Sequence, residues 1–124
     1  MKSPQKNIAV IGLGYVGLSN AVLLAQHNKV IAVDILEDRV AMVNVRKCPI
    51  EDPELTKYLV TEDLDLTATT DLQAAVADAA FAIIASPTNY DPVKNFFDTS
   101  SVETIARAVI KANPETVVVI KSTI

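Results

Sequence analysis

The chain has 124 residues, half of them hydrophobic, with a mean hydropathy of +0.29 and a net charge of −4. That length and apolarity make one domain with a real core, while a mildly acidic chain without a basic cluster gives nucleic acid or an anionic membrane no electrostatic footing. A single cysteine, Cys48, excludes an internal disulfide framework and points to a reducing compartment, the cytoplasm. No apolar run approaches membrane-spanning length. Lys2 and Lys6 ahead of Ile8–Leu13 faintly mimic a signal peptide, but the glycines and the strand–helix pattern that follow argue against one.

Strands and helices alternate along the chain, the mark of a parallel α/β sheet. The first strand covers about Asn7 to Ile11, and a helix follows from about Tyr15 to His27 with Leu18, Val22 and Ala25 on one face. Asn28 stands where a helix-ending residue turns left-handed, and His27 sits where a helix C-terminus favours positive charge. The second strand runs from about Lys29 to Asp34 and the next helix from about Glu37 to Val45. Pro53 opens a short helix, and the third strand lies near Asp65 to Thr69. Asp71 is placed to cap a helix reaching about Asp78. The fourth strand, Phe81 to Ala85, is short and apolar, suited to burial on both faces. Ser86 to Asp98 is the longest non-periodic stretch. It is either a functional loop at the carboxyl end of a central strand or a solvent loop whose phenylalanines plug a core edge. The last helix has Ser100 and Glu103 at capping-box spacing and an apolar stripe of Val102, Ile105, Ala106, Val109 and Ile110, ending at Asn113-Pro114. A final strand, Thr116 to Ile120, completes five in the expected order 3-2-1-4-5. This is a doubly wound parallel sheet with helices on both faces, in which the exposed fifth strand is a surface for association.

All three glycines of the chain fall within six positions, Gly12-Leu13-Gly14-Tyr15-Val16-Gly17. A β-branched strand leads into this G-x-G-x-x-G, a helix leads out, and a second strand ends in Asp34, 20 residues after Gly14. Together these form a dinucleotide-binding fingerprint. Gly12 permits a tight exit from the strand, Gly14 lets main chain approach a pyrophosphate, and Gly17 lets the helix pack against the strand. The helix N-terminus then presents N–H groups, those of Tyr15 and Val16, to phosphate oxygens. Asp34 is placed to accept hydrogen bonds from the adenosine ribose, and its charge would repel a 2′-phosphate, which favours NAD over NADP. FAD also fits the glycines, but the polar loop Ser86 to Asp98 suits a free nicotinamide cofactor better.

The segment Lys6-Asn-Ile-Ala-Val-Ile-Gly-Leu-Gly-Tyr-Val-Gly-Leu18 resembles the opening of the UDP-glucose/GDP-mannose dehydrogenase family. Ser86-Pro-Thr-Asn-Tyr-Asp91, Phe97-Asp-Thr-Ser100 and Lys121-Ser-Thr-Ile124 are similar to motifs of its UDP-glucose-oxidising members. The resemblance covers the chain after Lys6. It implies a Rossmann-type NAD-binding domain of an enzyme that oxidises UDP-glucose to UDP-glucuronate in two hydride transfers to NAD, the complete enzyme being a homodimer or higher. It also implies site roles. Arg39 is similar to the basic residue near the adenosine end, although it also reads as a solvated helix charge or as a partner for a 2′-phosphate. Thr88 is similar to the threonine that contacts NAD after the fourth strand. Thr123 is similar to the threonine beside the nicotinamide that helps orient the catalytic water. Ser86 departs slightly, since many relatives carry Thr there.

The family's catalytic cysteine and its acid, lysine, asparagine and aspartate have no match in these residues. Cys48 does not fit the cysteine motif and reads as a small semi-buried hydrophobe near a turn. A chain that stops one residue beyond Thr123 reads as a fragment of a longer enzyme, expected to bind NAD without turnover. Two alternatives stay open: a relative acting on another sugar, such as UDP-N-acetylmannosamine or GDP-mannose, and a non-catalytic nucleotide-sensing module. The acid pairs Glu51-Asp52 and Glu62-Asp63 read as solvated loop and helix-end charges, and no residue set spells a metal site.

Overall fold

The computed structural model describes residues 6–34, 36–48, 52–61, 64–85, 89–91, 96–98 and 100–121. In chain order the elements are β1 (Asn7–Ile11), α1 (Tyr15–Ala25), β2 (Lys29–Val33), α2 (Glu37–Asn44), α3 (Pro53–Thr61), β3 (Leu66–Thr69), α4 (Leu72–Val76), β4 (Phe81–Ile84), β5 (Asn89–Asp91), β6 (Phe96–Asp98), α5 (Ser100–Ala112) and β7 (Val117–Ile120). Five strands form one parallel sheet in the order β3-β2-β1-β4-β7. This is the 3-2-1-4-5 order expected from the sequence, with β7 as the fifth strand.

Alternation along β1 shows how the two layers arise. Ile8 and Val10 point into a core shared with Leu18, Ala21, Val22 and Ala25 of α1, Val43 of α2, and Leu55 and Leu59 of α3. Ala9 and Ile11 point the other way, toward Ala75 and Val76 of α4 and Val109 of α5. A strand buried on both faces needs apolar residues at every position, which is why β1 and β4 read as continuous apolar runs rather than alternating ones. Leu18, Val22 and Val10 are almost wholly buried, each contributing about 1.5–3 kcal/mol through apolar burial.

Helix α4 starts as expected, with the Asp71 carboxylate accepting the Ala74 N–H at 3.1 Å, but it ends at Val76 rather than Asp78. Helix α1 ends at Ala25, two residues before the expected His27. Asn28 does not end it by turning left-handed. Its Nδ2 donates to the Leu24 carbonyl at 3.1 Å while its Oδ1 accepts the Lys6 N–H at 3.2 Å. Among the described residues the one non-glycine with positive φ is Arg46, at 63°, just beyond α2. Its guanidinium offsets that strained backbone by donating to the carbonyls of Val43 and Leu64, both at 3.1 Å. Asp52 is not simply a solvated charge, because its Oδ1 caps α3 through the Leu55 N–H at 3.0 Å. Glu51, Glu62 and Asp63 lie outside the described residues.

The segment after β4 contains a hairpin that the sequence reading did not foresee. Asn89–Asp91 pairs antiparallel with Phe96–Asp98, Tyr90 opposite Phe97. Strands of three residues are too short to declare a period-2 pattern. Val109 of α5 is buried as expected, but Ile110 is 51% exposed, so the apolar stripe is narrower than the sequence suggests. The side chains of Ser100 and Val102 lie outside the described residues, so the capping box and the start of the stripe do too. Cys48 is half-buried against the α1–α3 core. β7 stands at the sheet edge with Val117 and Ile120 exposed.

The opposite edge, β3, is closed by a side chain. The Asn44 amide donates to the Ala68 carbonyl at 3.0 Å and accepts the Ala68 N–H at 2.8 Å, taking the place of a neighbouring strand. Asn44→Ala removes both bonds, and each is worth roughly 1 kcal/mol. A loss of about 1–2 kcal/mol in denaturant-induced unfolding is expected, and an unchanged midpoint would show that water replaces the amide fully.

Candidate functional site

The order in which strands are added reverses between β1 and β4, while all five stay parallel. From β1 the connection runs outward to β2 and β3, then crosses back to β4 and β7. A crevice opens above the carboxyl ends of strands at such a switch point, where ligands of open α/β sheets bind. The glycine turn sits there, directly after β1 and beside the end of β4, where the Ala85 N–H donates to the Ile11 carbonyl at 2.8 Å.

The three glycines are present for three different reasons. Gly12 has φ 101°, a conformation that costs a residue with a Cβ. Gly17 is a packing requirement, since a Cβ there would overlap the Gly12 carbonyl oxygen and press on Ala85. Gly14 has neither reason. Its backbone is extended, at φ −76° and ψ −167°, and a Cβ there would meet no atom of the described residues within 4 Å. The open face over Gly14 is therefore room that the described residues do not fill.

Gly14 is the N-cap of α1, and the first helical bond runs from the Leu18 N–H to the Gly14 carbonyl at 2.9 Å. The N–H groups of Tyr15, Val16 and Gly17 precede that bond and have no partner within the helix. No side chain among the described residues caps α1, and its own first turn carries no acid to offset the positive end of the helix.

Asp34 follows β2 and is 8% exposed. Both carboxylate oxygens are engaged. Oδ2 accepts the Leu13 N–H and Oδ1 accepts the Leu36 N–H, each at 2.9 Å. The bond to Leu36 is an Asx-turn, legible in an Asp that closes a strand; the bond to Leu13 has no signal in the local sequence. Arg39, in the first turns of α2, brings Nη1 to 3.8 Å from Asp34 Oδ2 with its side chain 38% exposed. So wide and partly solvated an ion pair contributes little to stability. The structure thus brings Gly12, Gly14, Tyr15, Val16, Gly17, Asp34 and Arg39 into one neighbourhood. Thr88 and Thr123 lie outside the described residues. Among the described residues there is no cluster that could hold a metal ion, and no helix is long and apolar enough to cross a membrane.

A parallel doubly wound sheet with a glycine turn after β1, an uncapped helix start and an acid closing β2 defines a Rossmann-type dinucleotide-binding domain. The residues present fit NAD: the space over Gly14 and the N–H groups at the start of α1, which have no partner within the helix, are what a pyrophosphate would need. Residues 6–124 match the model of the "UDP-glucose/GDP-mannose dehydrogenase family, NAD binding domain", and the chain belongs to that family. It is 50% identical over 117 residues to a UDP-glucose 6-dehydrogenase of Streptococcus pneumoniae, across 94% of this chain and 30% of that protein. It is 40% identical over 119 residues to the UDP-glucose 6-dehydrogenase of Campylobacter jejuni, with the same coverage of each chain. The structure of a UDP-glucose dehydrogenase from Pyrobaculum islandicum superimposes with a TM-score of 0.85 at 29% identity, over 98% of this chain and 30% of that one. The chain therefore spans about 30% of the length of these relatives.

Proposed function

We propose that residues 1–124 form the NAD-binding domain of a UDP-glucose 6-dehydrogenase, an enzyme that oxidises UDP-glucose to UDP-glucuronate in two hydride transfers to NAD. The observation that carries the reading is the site itself: a glycine with no conformational or packing need for being glycine, beneath an open face and at the start of an uncapped helix. The choice of sugar rests on the relatives, since the two with 50% and 40% identity are both UDP-glucose 6-dehydrogenases. A GDP-mannose or UDP-N-acetylmannosamine enzyme is the alternative within the family.

In this reading the Tyr15 and Val16 N–H groups hold the pyrophosphate over Gly14, and Asp34 accepts the adenosine ribose hydroxyls with the lone pairs its two N–H partners leave free. Arg39 borders the adenosine end, Thr88 contacts the cofactor beyond β4, and Thr123 stands beside the nicotinamide. Bound NAD supplies the hydride acceptor. The 124 residues bind NAD, and sugar oxidation requires the parts of the relatives that they do not span, in an assembly of two or more copies.

Calorimetric titration of the chain with NAD and NADP, repeated on Asp34→Ala, tests this. Saturable NAD binding at least about tenfold tighter than NADP, weakened in the variant, is the expected result; each decade is about 1.4 kcal/mol. Equal affinity for NADP would overturn the role of Asp34, and no binding at all would overturn the domain's role as a cofactor site.

A further inference from the structure

We propose that Asp34 is also a positioning residue: by accepting the Leu13 N–H, its carboxylate fixes the glycine turn in the shape that receives the pyrophosphate, independently of any bond to ribose. This rests on the NAD-binding reading above and assigns the same residue a second task.

The argument starts from where the β1–β2 ladder ends. Main-chain pairing runs to Ile11 opposite Val33 and gains one last bond, from the Gly12 N–H to the Val33 carbonyl at 2.7 Å. The next donor in the turn is the Leu13 N–H. No strand remains to receive it, because the backbone of Asp34 is directed the other way, its N–H donating to the Thr69 carbonyl of β3 at 3.3 Å. The Asp34 side chain takes over at that point, its Oδ2 lying 2.9 Å from the Leu13 nitrogen in a buried bond. A bond from N–H to an ionised carboxylate is stronger than one to a neutral carbonyl, and burial strengthens it further.

The carboxylate cannot rotate freely away from Leu13, because the Leu36 N–H holds Oδ1 at the same distance from the other side. Asp34 thus ties the β1–α1 turn to the β2–α2 turn across the mouth of the crevice. Leu13 stands between Gly12 and Gly14 with its side chain wholly buried. Anchoring its N–H therefore fixes the peptide plane that leads into the open face over Gly14. A carboxylate is required for both bonds at once. An asparagine has one acceptor oxygen, so its NH2 group would face one of the two N–H donors.

The test uses the whole chain, Asp34→Asn, and two ligands: NAD and its 2′,3′-dideoxyadenosine analogue, which has no adenosine-ribose hydroxyl for residue 34 to hold. A positioning role predicts that Asp34→Asn weakens the analogue as well as NAD, by about tenfold or more, the scale of one charge-assisted hydrogen bond. Unchanged affinity for the analogue, with NAD weakened, would confine Asp34 to the ribose and overturn the proposal. Amide hydrogen exchange gives a readout that needs no ligand. Leu13 should exchange at least about tenfold faster in the variant while Ala32 of β2 keeps its protection, a local loosening rather than a global one; equal loss at both would overturn it. Should the variant not fold, NMR of the wild type decides the matter. A scalar coupling across the hydrogen bond between the Leu13 amide nitrogen and the Asp34 carboxylate carbon supports the anchor, and its absence overturns it. Failure of the wild type to bind NAD would overturn the proposed function, whereas wild-type NAD binding with unchanged analogue affinity would overturn the positioning role alone.

Discussion

Gly17→Ala is expected to destabilise the chain by about 3 kcal/mol or more, the upper end of what overpacking costs. The added methyl has nowhere to go. It would overlap the carbonyl oxygen of Gly12, lie 2.8 Å from that carbonyl's carbon and 3.3 Å from the Ala85 Cβ. Backbone atoms cannot swing aside as a long side chain can, and this carbonyl belongs to a residue whose N–H is already bound to Val33. Helix α1 must therefore withdraw from the end of β1. Withdrawal loosens Leu18 and Val22, which anchor one whole core layer, and it moves the N–H groups of Tyr15 and Val16 away from the crevice. Chemical denaturation of the variant should show a lower midpoint, and NAD binding should be lost with it. Stability within about 0.5 kcal/mol of wild type, the usual range for an innocuous surface change, would mean that the helix slides on the sheet at little cost.

Much of this architecture is written locally in the sequence. The order of the five strands follows from apolar runs separated by helical stretches, because parallel strands buried on two faces need unbroken apolar character and right-handed crossovers leave few topologies. The glycine turn and Asp34 are legible as a spaced set, and Asp71 as a cap one residue before a helix. What stays hidden are bonds between residues far apart in the chain. Asn44 closes the edge of β3 across 24 residues, Arg46 reaches Leu64 across 18, and the Leu13 N–H finds Asp34 across 21. Asn113 shows the same thing at α5, where its Nδ2 gathers the carbonyls of Val76, Ala77 and Ala79 at the end of α4. In each case a polar side chain satisfies backbone groups left over where an element stops. Such groups exist only once the elements have packed, so no local period or motif announces them. Asn28 and Arg46 illustrate the limit: the left-handed residue expected after α1 at Asn28 is found instead after α2, at Arg46, whose guanidinium binds the carbonyls of Val43 and Leu64.

Gly14→Ala should behave in the opposite way to Gly17→Ala, leaving the fold and removing the function. At φ −76° and ψ −167° the position is open to any residue, and the new methyl meets no atom of the described residues within 4 Å. Folding stability is expected to stay within about 1 kcal/mol of wild type, because a compatible Gly→Ala change mainly lowers unfolded-chain entropy. The methyl occupies the face over which a pyrophosphate must come close enough to accept N–H groups at hydrogen-bonding distance. NAD affinity is therefore expected to fall by about tenfold or more, measured calorimetrically on a protein whose unfolding transition matches wild type. The contrast between the two variants separates the claims that a glycine-rich turn usually confounds. If Gly14→Ala bound NAD as tightly as wild type, the ligand would not cross the turn at this point. The open face over Gly14 would then be an accident of packing rather than the floor of a phosphate site, and the proposed function would lose the observation that carries it.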